Sequence, residues 1–232
     1  MEKQKTMPYF ASQSTFNNCV MNENSSPLDD IRAIRKIMEE STRFLSISGF
    51  SGVFMGLIAI AGAIAAKMII PESIITGQGY SESLASHPDG HRIIRLLFAD
   101  AAIVLFLALT AALLFSVRKT RKQGRKIWTP ASKRLLINLA VPLVSGGVFI
   151  LLTAGRVPGH VSASLMLVFY GLALLNASKY TMTEIYWLGI AEIITGLVCL
   201  VFPGYSLWFW MFGFGVLHIL YGLLMYFRYK EI

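Results

Sequence analysis

Three ionisable side chains, Asp100, Glu192 and His218, lie within long apolar stretches of the 232-residue chain. Such groups are costly inside a membrane and usually mark a site of function. Glu192 and His218 lie at nearly equal distances on either side of Pro203-Gly204, so two antiparallel helices would bring them to one depth. This spacing predicts a hydrogen bond between the two side chains that holds the two helices together. The alternatives are a Glu–His pair that relays protons or binds a cation, and side chains that do not meet.

Asp100 is the third candidate for an intramembrane polar site, in the outer third of its apolar stretch. Arg92, Arg95 and Arg156 fall near the same level of the predicted membrane. The expected explanation of Asp100 is therefore a structural ion pair or a position that water reaches.

The sequence contains none of the common enzyme signatures, neither GxSxG nor HExxH nor a glycine-rich phosphate loop. His87 and His91 have metal-pair spacing, but a proline and a glycine between them break any helix. The two cysteines, Cys19 and Cys199, form no CxxC or Cys/His cluster. We therefore expect no enzymatic activity, no metal site and no cofactor.

The elements that must position these residues are six apolar blocks, each near the ~20 residues that a helix needs to cross the hydrocarbon core. The composition agrees, with 55% hydrophobic and only 15% charged residues. The prediction is an all-α polytopic membrane protein with six transmembrane helices arranged as three hairpins. The blocks run over 46–66, 96–117, 135–154, 161–178, 185–202 and 207–227.

Positive charge predicts the orientation of these helices. Eight basic residues and no acidic residue lie between the second and third blocks, as is typical of a cytoplasmic loop. Both termini are then cytoplasmic, and the predicted location is the inner (cell) membrane. The net charge of +8 is explained by this loop, so we expect no nucleic-acid partner. The eight residues are Arg118, Lys119, Arg121, Lys122, Arg125, Lys126, Lys133 and Arg134.

The N-terminal part of the chain divides into two segments. Residues 1–25 are polar and without helical periodicity, which predicts a disordered tail. Residues 26–44 predict an amphipathic, cationic helix at the membrane interface; the alternative is a docking helix for a cytoplasmic protein. Residues 45–232 form the predicted six-helix transmembrane domain.

Glycines recur on one face of three predicted spans, in the pattern G-x-x-[G/E/H]-x-x-x-G. Small residues on one face allow transmembrane helices to approach closely. Glu192 and His218 occupy the middle position of two of these motifs, so each should face a neighbouring helix. The predicted packing residues are Gly49, Gly52, Gly56, Gly189, Gly196, Gly215 and Gly222.

Residues 189–224, GIAEIITGLVCLVFPGYSLWFWMFGFGVLHILYGLL, resemble the repeat unit of the HdeD-like family of small bacterial multi-pass membrane proteins. The shared features are Gly-x6-Gly, an apolar turn with proline, and a second glycine-bearing span. The resemblance implies a six-span fold and an association with acid-stress resistance.

Three functions remain open at this point. The first is a non-enzymatic integral membrane protein, stress-related or accessory, that packs through its glycine faces. The second is a small proton- or ion-coupled transporter or channel that uses Glu192 and His218. The third is a membrane sensor or anchor for a cytoplasmic protein. The expected partners are the lipid bilayer and either a second copy of the chain or that cytoplasmic protein.

Overall fold

A computed structural model describes residues 28, 31, 49–70, 88–122, 124, 127–154 and 156–228. The chain divides into two units, residues 1–39 and 40–232. In the first unit, Leu28 and Ile31 are helical and exposed. The predicted tail, and the predicted interfacial helix apart from these two residues, lie outside the described residues.

The described part of the second unit is helical, and it contains six helical spans long and apolar enough to cross a membrane. The predicted multi-span helical fold is therefore confirmed. The first five spans are single helices, and the sixth, Pro203–Arg228, is divided into four segments. The five helices are α1 (Gly49–Ile69), α2 (Gly90–Lys122), α3 (Pro130–Thr153), α4 (Gly159–Ser178) and α5 (Glu184–Val201).

The buried face of α1 consists of small residues, while large apolar residues lie on its exposed face. On α1, for example, Ala59 and Ala63 are buried, whereas Phe54 and Leu57 are about half exposed. This distribution suits a lipid environment, because lipid tails accept large apolar side chains and helices associate through small residues.

The glycine motif of α1 packs directly on the sixth span. A methyl group placed on Gly52 would lie 2.9 Å from Gly222 Cα, and one placed on Gly56 would lie 2.5 Å from the Gly215 carbonyl oxygen. Near the other end of α1, Lys67 Nζ lies 5.6 Å from the ring centre of Trp208. The first and sixth spans are therefore antiparallel neighbours.

A second close pair is formed by α4 and α5. A methyl group on Gly171 would lie 2.6 Å from the Gly189 carbonyl oxygen, and one on Gly196 would lie 3.0 Å from the Ser164 carbonyl oxygen. The Ser164 hydroxyl also donates a hydrogen bond to the Gly196 carbonyl oxygen, 2.5 Å away. By comparison α2 packs principally on α1, and α3 principally on α4.

The sixth span is not a uniform helix. It begins with a 3-10 turn (Pro203–Tyr205) and continues as α6 (Ser206–Met211), a π-helical segment (Phe212–Leu217) and α7 (His218–Arg228). Short π-helical insertions are rare and occur frequently at functional sites. This one ends where His218 begins α7.

Candidate functional site

Glu192 from the middle of α5 and His218 from the start of α7 meet inside the bundle. Glu192 Oε1 lies 3.4 Å from His218 Nδ1. The two residues are 0% and 3% exposed. The structure thus brings together the two residues that the sequence placed at one depth.

The imidazole of His218 is held between two further groups. Its Nδ1 lies 3.1 Å from the Gly213 carbonyl oxygen, and its Nε2 lies 2.7 Å from the Tyr170 hydroxyl. A carbonyl oxygen only accepts, so this network assigns the proton of the neutral ring to Nδ1. Nε2 then accepts the hydrogen bond that the Tyr170 hydroxyl donates.

The carbonyl group that His218 Nδ1 contacts belongs to the π-helical segment itself. Gly213 is the second residue of that segment, and His218 directly follows its last residue. Gly213 also lies directly beside the carboxyl group, since a methyl group placed on it would contact a methyl of Leu167 and lie 2.6 Å from Glu192 Oε2.

The carboxyl group of Glu192 is the unusual member of the cluster. Both of its oxygens are buried, and neither makes a hydrogen bond with a described residue, since the 3.4 Å approach to Nδ1 lacks hydrogen-bond geometry. Buried polar groups are normally hydrogen-bonded, and the exceptions call for an explanation. The cluster of Glu192, His218 and Tyr170 (below, the Glu–His–Tyr cluster) can hold a proton at Glu192 or His218 and pass it between them.

The cluster does not form a complete metal site. Glu192 and His218 could supply two ligands, but within the described residues no group of three His, Cys, Asp or Glu side chains is close enough to bind one ion. Of the two histidines with metal-pair spacing, His91 is in α2 and His87 lies outside the described residues.

Asp100 lies beside α1. Its carboxylate approaches Gly62, where an added methyl group would be 3.7 Å from Oδ2. Within the described ranges no ion pair joins Asp100 to Arg92, Arg95 or Arg156. Asp100 is partly exposed, so of the two expected explanations a position that water reaches stays a prediction.

Tyr170 is the cluster member that the sequence analysis missed. One signal was available: Tyr170 lies in mid-span, whereas Tyr205 and Trp187 lie near span ends, where an interfacial belt is expected. A buried tyrosine usually finds a hydrogen-bond partner. A mid-span tyrosine in a chain with an intramembrane histidine was therefore a candidate partner for it.

The chain matches no family model, no curated protein and no solved structure.

Proposed function

We propose that this multi-pass protein is non-enzymatic and that its Glu–His–Tyr cluster is a proton-binding site. The observation that carries the proposal is the Glu192 carboxyl group, which is fully buried beside an imidazole but makes no hydrogen bond with the part of the chain that the structure describes. A residue that served only to hold α5 to the sixth span would be expected to make that bond, because an unmade buried hydrogen bond costs about 1–3 kcal/mol. A carboxyl group that binds and releases a proton is not expected to keep one fixed hydrogen bond. This agrees with the 3.4 Å distance between Glu192 Oε1 and His218 Nδ1.

The role that this site supports is a response of the membrane protein to acid. Protonation of Glu192 or His218 changes the charge beside the π-helical segment, so the packing of the sixth span depends on the protonation state. The resemblance of residues 189–224 to the HdeD-like family, which is associated with acid stress, supports the same role.

The proposed topology has three helical hairpins in the inner membrane, with both termini in the cytoplasm. The support is the basic stretch from Arg118 to Arg134, which is typical of a cytoplasmic loop. Reporter fusions at residue 125 and after residue 232 should report the cytoplasm, and a fusion near residue 80 the exterior. An exterior signal at residue 125 would contradict the orientation, because that loop carries most of the charge asymmetry.

The proton site is tested by pH-difference infrared spectroscopy of the protein in membranes. We expect a carbonyl-stretch band from a protonated carboxylic acid whose intensity changes with pH, and we expect Glu192→Gln to remove that band. Glutamine keeps the size and hydrogen-bonding capacity of the side chain but cannot ionise. The control is Glu184→Gln, at the start of α5, where the carboxylate Oε1 lies 3.0 Å from Arg228 Nη1. A spectrum unchanged by Glu192→Gln would refute the proposal.

Proton transport is the second candidate function, and the π-helical segment beside the cluster favours it. Reconstituted vesicles distinguish it from a proton-responsive role. A pH-driven proton flux that Glu192→Gln abolishes indicates transport. A titrating Glu192 band without flux, together with acid tolerance lost in cells that carry Glu192→Gln, indicates the proton-responsive role.

A further inference from the structure

A cavity of about 380 Å³ lies between α1, α2, α3, α4 and the sixth span. This volume falls within the range of small-molecule sites, which are mostly apolar with a few placed polar groups. The lining is aliphatic and aromatic except where Tyr170 and His218 reach it. No charged side chain is among the described residues that line the cavity.

The cavity is reached from the side of the bundle, between α2 and α3. These helices are consecutive, yet each packs principally on another helix. Leu109 of α2 and Leu151 of α3 line the cavity and are 43% and 65% exposed. In a membrane this side faces lipid, so the molecules that can enter are those dissolved in the bilayer.

The polar end of the cavity favours a hydroxyl group. The Tyr170 hydroxyl donates to His218 Nε2, as the proton on Nδ1 requires, and its oxygen retains the capacity to accept a hydrogen bond. A ligand group that satisfies this oxygen must be a donor. His218 is neutral in this arrangement, and the described lining contains no lysine or arginine that could balance an anion, so the group must also be uncharged.

We infer that this cavity binds an uncharged, membrane-soluble molecule that carries a hydroxyl group, which donates a hydrogen bond to Tyr170. The apolar body of the molecule occupies the space between α2 and α3. Aromatic rings surround the polar end, with Phe214 centred 5.1 Å from Tyr170 and 5.0 Å from Trp210. Phenols and aliphatic alcohols share the required chemistry. The inference rests on a neutral His218, whose Nε2 accepts from Tyr170, but not on a proton at Glu192, which is not among the lining residues.

Trp210 lines the cavity and can report binding. The other three tryptophans are replaced (Trp128→Phe, Trp187→Phe and Trp208→Phe), and the protein is placed in phosphatidylcholine nanodiscs. The probes are a ring-brominated 4-octylphenol, its methyl ether and 12-bromododecanol, since bromine quenches tryptophan fluorescence at short range. A second protein that keeps only Trp187, which is 66% exposed, reports partitioning of each probe into the bilayer.

We expect saturable quenching of Trp210 by the phenol at a concentration about tenfold lower than by the methyl ether, which lacks the donor. Quenching of Trp187 should be non-saturable and the same for both probes. Tyr170→Phe should remove the difference between phenol and ether. If quenching of Trp210 by 12-bromododecanol is saturable and quenching by the phenol is not, the ligand is an aliphatic alcohol. If only quenching by the phenol is saturable, the ligand carries an aromatic ring.

Gly147 provides a test that leaves the cluster intact. It lines the cavity, and an added Cβ meets no atom within 4 Å, so Gly147→Leu should fold and abolish saturable quenching. Val148→Leu, next to it but outside the lining, should bind like the parent protein. Glu192→Gln should also bind, which separates this inference from the proton site. Equal quenching by phenol and ether in the parent, as for a cavity filled by any acyl chain, would overturn the inference.

Discussion

Replacement of Gly222 by leucine is expected to cost the folded protein about 3 kcal/mol, the upper part of the range for overpacked sites. The reason is the contact between the first and sixth spans. A methyl group on Gly222 would lie 2.5 Å from the Val53 backbone nitrogen and 2.7 Å from the Gly49 carbonyl oxygen. Backbone atoms cannot rotate away as a side chain does, so the two helices must separate. Unfolding of the detergent-solubilised protein, followed by circular dichroism, measures the loss.

The matched control is the same substitution at Gly147, where an added side chain meets open space. Gly196→Leu should fall between the two, because its nearest neighbour, 2.8 Å from an added methyl group, is a methyl of Val168 that can move. Leu197→Ala, at a lipid-facing position, should change stability little. Equal loss at Gly222 and Gly147 would show that the glycine contact does not support the fold.

Replacement of His218 by leucine is expected to cost about 3 kcal/mol, because it leaves buried polar groups without partners. The Tyr170 hydroxyl loses its acceptor, and the Glu192 carboxyl loses the adjacent imidazole. Leucine fills part of the volume that the histidine occupied. The loss of stability therefore comes mainly from the polar groups that are left without partners. The measurement is again the free energy of unfolding in detergent.

The control for His218 removes the whole cluster. In the triple variant Tyr170→Phe, Glu192→Leu and His218→Leu the three polar side chains are removed together, and apolar replacement of all side-chain partners is often close to neutral. We therefore expect the triple variant to be more stable than His218→Leu alone. Residues in one network show such non-additivity, whereas independent sites add. A triple variant with the summed losses of the single changes would mean that the three side chains act independently.

The helical spans could be predicted from the sequence because the membrane sets requirements that each span must meet by itself. Each span must be about 20 apolar residues long and must satisfy its own backbone hydrogen bonds. Predicted boundaries differ from the observed ones where polar sequence continues a helix: the second block ends at residue 117, whereas α2 continues to Lys122. Nearly equal spacing from Pro203-Gly204 likewise placed Glu192 and His218 at one depth, because each α-helical residue advances by about 1.5 Å along the axis.

Helix partners were decided only by the tertiary structure. The glycine motifs showed which faces permit close approach but not which faces meet, and the folded chain sets Gly52 against Gly222 and Gly171 against Gly189. In lipid the hydrophobic effect does not select partners, and the choice depends on the fit of surfaces distant in sequence. The sequence alone shows neither surface in three dimensions.

The composition of the site also depended on tertiary structure. Glu192, His218 and Asp100 were evident in the sequence as ionisable residues in apolar blocks. Tyr170 joins the cluster because α4 packs beside the sixth span, and Asp100 stays outside it. His218 directly follows the π-helical segment, and apolar periodicity reveals no such change of helical register. Local spacing thus determined the depth of each polar residue, while packing between distant helices determined which of them touch.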